Sequence, residues 1–312
     1  MKPEILSVAP MYAPCMERLA RELTLHRLFD APDADALLAQ VGPRVRGIQA
    51  TGFASVPAAM IDALPKLEIV SVFGVGYDGV DVAAARRRNV VVTNTPDVLN
   101  DCVADLALGL VIATSRRLCA GDRYVRAGKW FAGPMPLASR VAGKRLGILG
   151  LGRIGRTIAK RASGFDMTIA YHSRHPVRGV PFRYCATPVE LAESSDFLVV
   201  ITPGGAATKH LVNEAVMRAL GPAGILVNVA RGSVVDEQAL VRCLQEGVLG
   251  GAGLDVFEDE PRVPEALFAM DNVVLQPHVG SATHETRRAM GDLAVDNLLA
   301  HFAGRPVLTP VP

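Results

Sequence analysis

No run of about 18 apolar residues occurs in this chain, so a membrane-spanning helix is excluded even though 50% of its 312 residues are hydrophobic. The start lacks a charged stretch followed by an apolar run and a cleavage site, and no secretory leader is expected. An excess of one charge is also missing. With 33 Lys+Arg against 31 Asp+Glu the net charge is +2, which argues against a disordered chain and a general nucleic-acid binder. The run Arg86-Arg87-Arg88 reads as a solvated helix end, where cations suit the dipole. Cysteine is sparse: the five, at 15, 102, 119, 185 and 243, are odd in number and lack C-x-x-C or metal-like spacing. A disulfide framework and a metal site are therefore not expected, and a reducing cytoplasm is the natural compartment.

What is present is an alternation of short apolar strands and helices, on a chain long enough for two domains. Ile5 to Val8, Ile48 to Thr51, Ile69 to Phe73 and Val90 to Thr93 alternate with helical stretches such as Met16 to Leu23 and Ala34 to Ala39, which argues for a parallel sheet covered by helices. A long helix is predicted over Asp101 to Ala127, with Leu106, Leu110 and Ala113 at helical spacing. A second strand series follows at Phe197 to Ile201, Ile225 to Val229, Gly253 to Val256 and Val273 to Leu275. Within it, Thr187-Pro188-Val189-Glu190 has capping-box order. The amphipathic helix Glu285 to Phe302 lies beyond the last strand and can return to the first domain. The stretch Gly128 to Pro136, with the only tryptophan, Trp130, reads either as a linker or as an arm that packs on a second subunit.

The spacing G-x-G-x-x-G occurs twice, at Gly74 to Gly79 and at Gly150-Leu151-Gly152-Arg153-Ile154-Gly155. It holds a dinucleotide when it follows a strand and opens a helix, because the three glycines serve the turn, the approach of the diphosphate and the helix packing. The second copy has that context. Arg145 to Leu149 reads as a buried strand, Ile154 to Ser163 as a helix, and Met167 to Tyr171 as the next strand, a unit of about 30 residues. After the first copy, the strand Glu68 to Phe73 meets only the brief helix Asp81 to Arg88. It reads as a turn needing small residues, or as a nest of backbone N–H groups for a small anion.

An acid is missing where NAD-binding chains place one for the ribose 2'-hydroxyl, about 20 residues past the first glycine. The stretch there is His172-Ser173-Arg174-His175. A hydroxyl and a guanidinium suit a 2'-phosphate, so NADP(H) is expected in preference to NAD(H), with a plain solvated turn as the alternative. Three later strands end in ionisable groups: Arg231 after Val227 to Ala230, Glu260 after Leu254 to Asp259, and His278 after Leu275 to Pro277. Ligands of open α/β sheets bind outside the carboxyl ends of strands, so the three can converge on a nicotinamide. His278 is the candidate proton donor to an alkoxide, Glu260 its carboxylate partner and Arg231 the grip on a 2-oxo acid.

These residues and the runs Asn94-Thr95-Pro96-Asp97-Val98-Leu99, Gly147 to Arg156, Asn228 to Asp236, Gly251 to Pro261 and Pro277 to Thr283 resemble the D-2-hydroxyacid dehydrogenase family over nearly the whole chain, especially its glyoxylate/hydroxypyruvate and hydroxyphenylpyruvate reductase branch. The resemblance implies two Rossmann-like/flavodoxin-like parallel-sheet α/β domains with the active site in the cleft between them. The substrate domain is then discontinuous, 1–98 plus 285–312, and the NADP(H)-binding Rossmann domain is 99–284. The catalytic arginine, glutamate and histidine match Arg231, Glu260 and His278, leaving Glu258 and Asp259 as bystanders. The substrate carboxylate falls on the amides of Val75 and Gly76, with Arg231 and His278 beside it. Cofactor contacts fall on Gly150, Leu151, Gly152, Arg153, Ile154, Gly155, Ser173, Arg174, His175, Thr202, Pro203, Val229, Asp255 and Gly280.

The resemblance further implies a homodimer, a small 2-oxo acid or 2-hydroxy acid as ligand, no metal, and neither a nucleic acid nor a membrane as partner. The expected activity is NADPH-dependent reduction of glyoxylate and hydroxypyruvate to D-2-hydroxy acids. Aryl pyruvates are the alternative if Thr51, Gly52 and Phe53 shape a roomier pocket. A dinucleotide-sensing corepressor is the alternative of another class. A chain ending at Pro312 is expected to lack the regulatory domain of many phosphoglycerate dehydrogenases. One departure from the family pattern is the glycine pair in Thr202-Pro203-Gly204-Gly205, where relatives carry a polar or acidic residue.

Overall fold

The computed structural model describes residues 2–312. They form two compact units: the residues up to Leu99 together with Thr283–Pro312, and Asn100–Ala282.

In the first unit, β1 (Glu4–Ser7), α1 (Ala13–Glu22), β2 (Thr24–Arg27), α2 (Ala34–Val41), β3 (Val45–Thr51), α3 (Ala58–Asp62), β4 (Ile69–Phe73), α4 (Val82–Arg87) and β5 (Val91–Thr93) build a sheet in the order β2-β1-β3-β4-β5. Every pairing is parallel. That is the flavodoxin-like order, which is reached when right-handed crossovers run first one way and then the other from β1. All residues of β4 are buried because helices cover both faces, and for this reason its sequence is apolar on both faces apart from Ser71 rather than alternating. Asp33 and Asp81 cap α2 and α4 by accepting the amides of Ala36 and Ala84.

The second unit begins with α5 (Asn100–Ser115) and α6 (Leu118–Arg126). It continues through β6 (Arg145–Leu149), α7 (Arg153–Ala162), β7 (Thr168–His172), β8 (Arg183–Tyr184), α8 (Pro188–Glu193), β9 (Phe197–Val200), α9 (Glu214–Leu220), β10 (Ile225–Asn228), α10 (Glu237–Gln245), β11 (Gly251–Leu254) and β12 (Val273–Leu275). The strand order β12-β11-β10-β9-β6-β7-β8 is that of a Rossmann sheet with one added strand, again parallel throughout. Its crossovers change direction between β6 and β9, which opens a crevice at their carboxyl ends. The final helix, α11 (His284–Phe302), belongs to the first unit, where it packs on α1 and β4. Its buried stripe includes Gly291, Ala294, Val295 and Leu298, and Ser71 on β4 donates to the Ala294 carbonyl at 2.9 Å.

The helix predicted over Asp101 to Ala127 is broken. Arg117 takes a left-handed conformation, φ 54°, and separates α5 from α6. The reason lies in tertiary pairing rather than in a local breaker. Ser139 returns to Ser115, its amide donating to the Ser115 carbonyl and its carbonyl accepting the Ser115 hydroxyl, both at 3.1 Å. The intervening residues become an arm that carries Trp130, Phe131 and Leu137 at 69%, 100% and 98% exposure. The buried stripe of α5 is also rotated from the expected one, running through Val103, Ala107, Leu110 and Thr114. At α8 the Thr187 hydroxyl accepts from the Glu190 amide as the capping-box order predicts. Glu190 reaches back one residue further than expected, to the Ala186 amide. Among the described residues no helix is long and apolar enough to cross a membrane.

Candidate active site

The second glycine repeat sits where the Rossmann crossovers reverse. β6 delivers Gly150 at φ 108°, with the position of an added Cβ only 2.7 Å from the Ile201 carbonyl oxygen at the end of β9. Gly152 differs: a Cβ there meets nothing within 4 Å, so its backbone is open to an incoming group. At Gly155, inside the first turn of α7, a Cβ would overlap the Gly150 carbonyl oxygen. The three glycines thus supply a tight turn, an open approach and close helix packing, which are the requirements of a diphosphate loop. Arg153 and Ile154 open α7, whose first-turn amides have no acceptor within the helix. The Leu151 side chain is buried, and its amide donates to Ser173 Oγ at 3.1 Å. Thr202 Oγ1 is buried without a hydrogen-bond partner among the described residues, and Pro203 and Val229 follow β9 and β10. The opened backbone at Gly152 and the unpartnered hydroxyl at Thr202 fit a dinucleotide along this crevice.

At the end of β7, Ser173 is half-buried while Arg174 and His175 are exposed, and no carboxylate stands between Ser173 and Val177. The glycine pair after Pro203 forms a turn closed by Thr208, whose hydroxyl donates to the Pro203 carbonyl at 2.7 Å.

Arg231, Glu260 and His278 lie on loops following the adjacent strands β10, β11 and β12. Asn228, at the last position of β10, shapes the arginine loop: its Oδ1 accepts the Ala230 amide at 3.1 Å and its Nδ2 donates to the Arg231 carbonyl at 3.0 Å. Sequence reasoning passed over Asn228, although a buried amide side chain ending an apolar strand is a signal of such a clamp. Arg231 Nη1 donates to the Ala230 carbonyl at 2.8 Å.

His278 is left-handed, φ 52°, a conformation that costs a non-glycine residue about 1–2 kcal/mol. Asp255 holds it there. The His278 amide donates to the Asp255 carbonyl at 2.9 Å, and the amides of Val279 and Gly280 donate to the two carboxylate oxygens at 2.7 and 2.8 Å. Burial, helped by the Glu260 charge, pushes the Asp255 carboxyl up against the pull of the Val279 amide, the His278 charge and the Gly280 amide. Asp255 and Gly280, expected beside the cofactor, are therefore also bonded to each other in support of the histidine.

His278 Nδ1 donates to the Glu260 carboxylate, 2.9 Å from Oε2 and 3.1 Å from Oε1, with side chains 23% and 26% exposed. Glu260 Oε1 also accepts the Phe257 amide at 3.0 Å. Burial pushes this carboxyl up, but the hydrogen bonds from His278 and Phe257 with the charges of His278 and Arg231 outweigh it, and the group lies below its ordinary value. It is an anion at neutral pH, and by accepting from Nδ1 it orients the His278 ring. Glu258 and Asp259 turn elsewhere, to His210 at 2.9 Å and to Arg262 at 2.9 Å.

In the first unit the other glycine repeat follows β4. Gly79 is confined, since a Cβ would overlap the Ala54 carbonyl. The Gly74 amide donates to Thr95 Oγ1 at 3.1 Å, and Asn94 Nδ2 donates to the Val75 carbonyl at 2.8 Å. Both bonds leave the partly exposed Val75 and Gly76 amides without an acceptor among the described residues. Asn94 was not singled out from sequence, though it stands in the Asn94-Thr95-Pro96 run.

Comparison with known proteins shows the family. The family model for the D-isomer specific 2-hydroxyacid dehydrogenase NAD binding domain matches residues 108–280. The chain is 50% identical over 307 residues, 98% of each protein, to a hydroxyphenylpyruvate reductase of Plectranthus scutellarioides. Identity is likewise 50% over 307 residues, 98% of each, to glyoxylate/hydroxypyruvate reductase A HPR2 of Arabidopsis thaliana. Among solved structures, an NADPH-dependent glyoxylate/hydroxypyruvate reductase from Sinorhizobium meliloti, in complex with NADP and malonate, superposes with a TM-score of 0.94. It has 49% identity, with 100% of this chain and 97% of that one covered. The glycine loop, the three strand-end residues and these full-length likenesses agree: the chain belongs to the D-isomer specific 2-hydroxyacid dehydrogenases, on their glyoxylate/hydroxypyruvate reductase branch.

Proposed function

We propose that the chain catalyses NADPH-dependent reduction of small 2-oxo acids to D-2-hydroxy acids, with glyoxylate and hydroxypyruvate ahead of aryl pyruvates. The observation that carries this reading is the His278–Glu260 pair, Nδ1 to carboxylate at 2.9 Å, in the same unit as the diphosphate loop. The nicotinamide, when bound, supplies the hydride. Arg231 grips the 2-oxo acid through its carboxylate and carbonyl oxygens, which orients the carbonyl carbon. His278 delivers a proton from Nε2 to the carbonyl oxygen as negative charge develops there, and Glu260 stabilises the protonated ring before transfer. The amides of Val75 and Gly76 are the proposed anchors for the substrate carboxylate.

NADP(H) is the proposed cofactor, held by Gly150, Leu151, Gly152, Arg153, Ile154 and Gly155 at the diphosphate, by Ser173, Arg174 and His175 at the 2'-phosphate, and by Thr202, Pro203, Val229, Asp255 and Gly280 along the crevice. The absence of an acid between Ser173 and Val177 supports this choice, as does the likeness to the NADPH-dependent Sinorhizobium reductase. We assign the first unit to substrate and the second to the dinucleotide. A homodimer is part of the proposal, supported by the apolar arm bearing Trp130, Phe131 and Leu137, since large exposed apolar patches mark contact surfaces. A cytoplasmic setting is part of the proposal, supported by the absence of a disulfide between the described cysteines.

An aryl pyruvate is the second reading, favoured by the Plectranthus relative's equal 50% identity and by Phe53, 62% exposed. Initial rates with NADPH and NADH against glyoxylate, hydroxypyruvate, phenylpyruvate and 3-phosphohydroxypyruvate test both readings. The small substrates with NADPH are expected to give the highest kcat/KM. Fastest turnover of phenylpyruvate selects the second reading, and no turnover of any substrate selects a dinucleotide-sensing role.

A further inference from the structure

Between the end of β7 and the next turn, the loop Ser173-Arg174-His175-Pro176-Val177 is held at both ends by tyrosine hydroxyls. Tyr171 lies on β7 with its ring 2% exposed, and its hydroxyl accepts the Val177 amide at 2.8 Å while lying 3.4 Å from the carbonyl of the same residue. Both backbone groups of Val177 thus close on one side chain. At the other end Tyr184, on β8, donates to the Ser173 carbonyl at 3.4 Å. The two rings meet edge to face, 5.5 Å between centroids, which ties the two anchors together. His172 stacks on Tyr184 and donates from Nδ1 to the Cys185 carbonyl at 2.9 Å, fixing the strand end below the loop. The Ser173 hydroxyl is bonded in turn to the glycine loop through the Leu151 amide at 3.1 Å. Only the crest, Arg174, His175 and Pro176, is exposed.

We propose that Tyr171 is a positioning residue for cofactor choice: by bonding Val177 it holds the loop in the shape that presents Arg174 to a 2'-phosphate. This rests on the NADP(H) reading above. The hydroxyl is buried and directed at the loop backbone, so it acts through Arg174 rather than on the cofactor. A long guanidinium side chain loses much rotamer freedom when it clamps an anion, and a loop already fixed reduces the further ordering that binding demands. NADH lacks the 2'-phosphate and gains nothing from this ordering.

Tyr171→Phe keeps the packed ring and removes only the hydroxyl. Binding is measured by calorimetry with four probes, NADPH, NADH, 2',5'-ADP and 5'-AMP, the last pair differing only in the 2'-phosphate. The variant is expected to lose about fivefold in affinity for NADPH and 2',5'-ADP, the size of one net hydrogen bond, while NADH and 5'-AMP stay within about twofold. In an Arg174→Ala background the same substitution is expected to leave the NADPH-to-NADH affinity ratio unchanged, because its route is gone. Equal losses for all four probes, or none, overturn the inference, as does a full effect without Arg174. If the wild-type protein binds 2',5'-ADP no better than 5'-AMP, the NADP(H) reading itself falls. Should Tyr171→Phe fold poorly, Tyr184→Phe tests the other anchor, with a loss of 2'-phosphate affinity expected and equal affinity for every probe contradicting it.

Discussion

Gly232 lies so close to Phe257 that no side chain fits between them: a Cβ on Gly232 would overlap the Phe257 carbonyl group. Gly232 follows Arg231, and the Phe257 amide is bonded to Glu260, so this one approach sets the arginine loop against the glutamate loop. Gly232→Ala must push the two apart. The expected outcome is a fall in kcat/KM for glyoxylate of tenfold or more and a loss of about 1–3 kcal/mol in stability, as for overpacking in general. Initial rates and denaturant unfolding check it, and wild-type kinetics would detach the two loops from each other.

The two glycines of the diphosphate loop are expected to respond oppositely. Gly152→Ala places its methyl in open space, so the thermal midpoint without cofactor should stay within about 1 °C, while NADPH affinity falls tenfold or more. Gly155→Ala forces a methyl against the Gly150 carbonyl and is expected to lower the midpoint by several degrees whether or not cofactor is present. Calorimetric midpoints with a cofactor titration separate them.

Arg231→Lys keeps the charge and loses the planar fork. A kcat/KM reduced by roughly 100-fold is expected, because a point charge cannot hold a carboxylate and a carbonyl in parallel. Steady-state kinetics with hydroxypyruvate check this, and near-normal activity of the Arg231→Lys variant would remove the bidentate role.

The lowered value of Glu260 carries a pH dependence. A carboxyl whose folded value lies below its unfolded one, about 4.3, contributes stability that is complete above that pH and is lost as pH falls through the folded value. Glu260→Gln is therefore expected to be less stable than wild type at pH 7 and to approach it as the pH falls through the folded value, as measured by urea unfolding. The same variant deprives His278 of its anionic partner. Its kcat/KM for glyoxylate should fall by about tenfold or more, and wild-type kinetics would deny the pairing a role in proton delivery.

The fold was legible where burial is symmetrical. β4 was readable to within one residue at its start, since five consecutive buried positions mark its course. β2, Thr24–Arg27, carries no apolar run and exists because it pairs with β1 at the sheet edge, information that its own four residues do not hold. The break at Arg117 comes from the Ser115–Ser139 pairing, which spans 24 residues and leaves no glycine or proline at the break. α9 and α10 had readable starts in Asn213 and Asp236, each of which accepts an amide three residues on, but their short apolar faces hid them. In the site, the charged residues announced themselves by ending apolar strands. The groups that bond the neighbouring loops, Asn228, Asn94 and Tyr171, did not, because their bonds depend on which backbone atoms the fold brings within about 3 Å.

The most direct measurement of the central claim is the rate of NADPH oxidation with glyoxylate by wild type and by His278→Ala, alongside the NADPH dissociation constant of each. Wild type is expected to turn over, and the variant to be slower by about 100-fold or more with its NADPH affinity within about twofold, as loss of a general acid requires. A variant as fast as wild type would contradict the assignment of His278 as the proton donor.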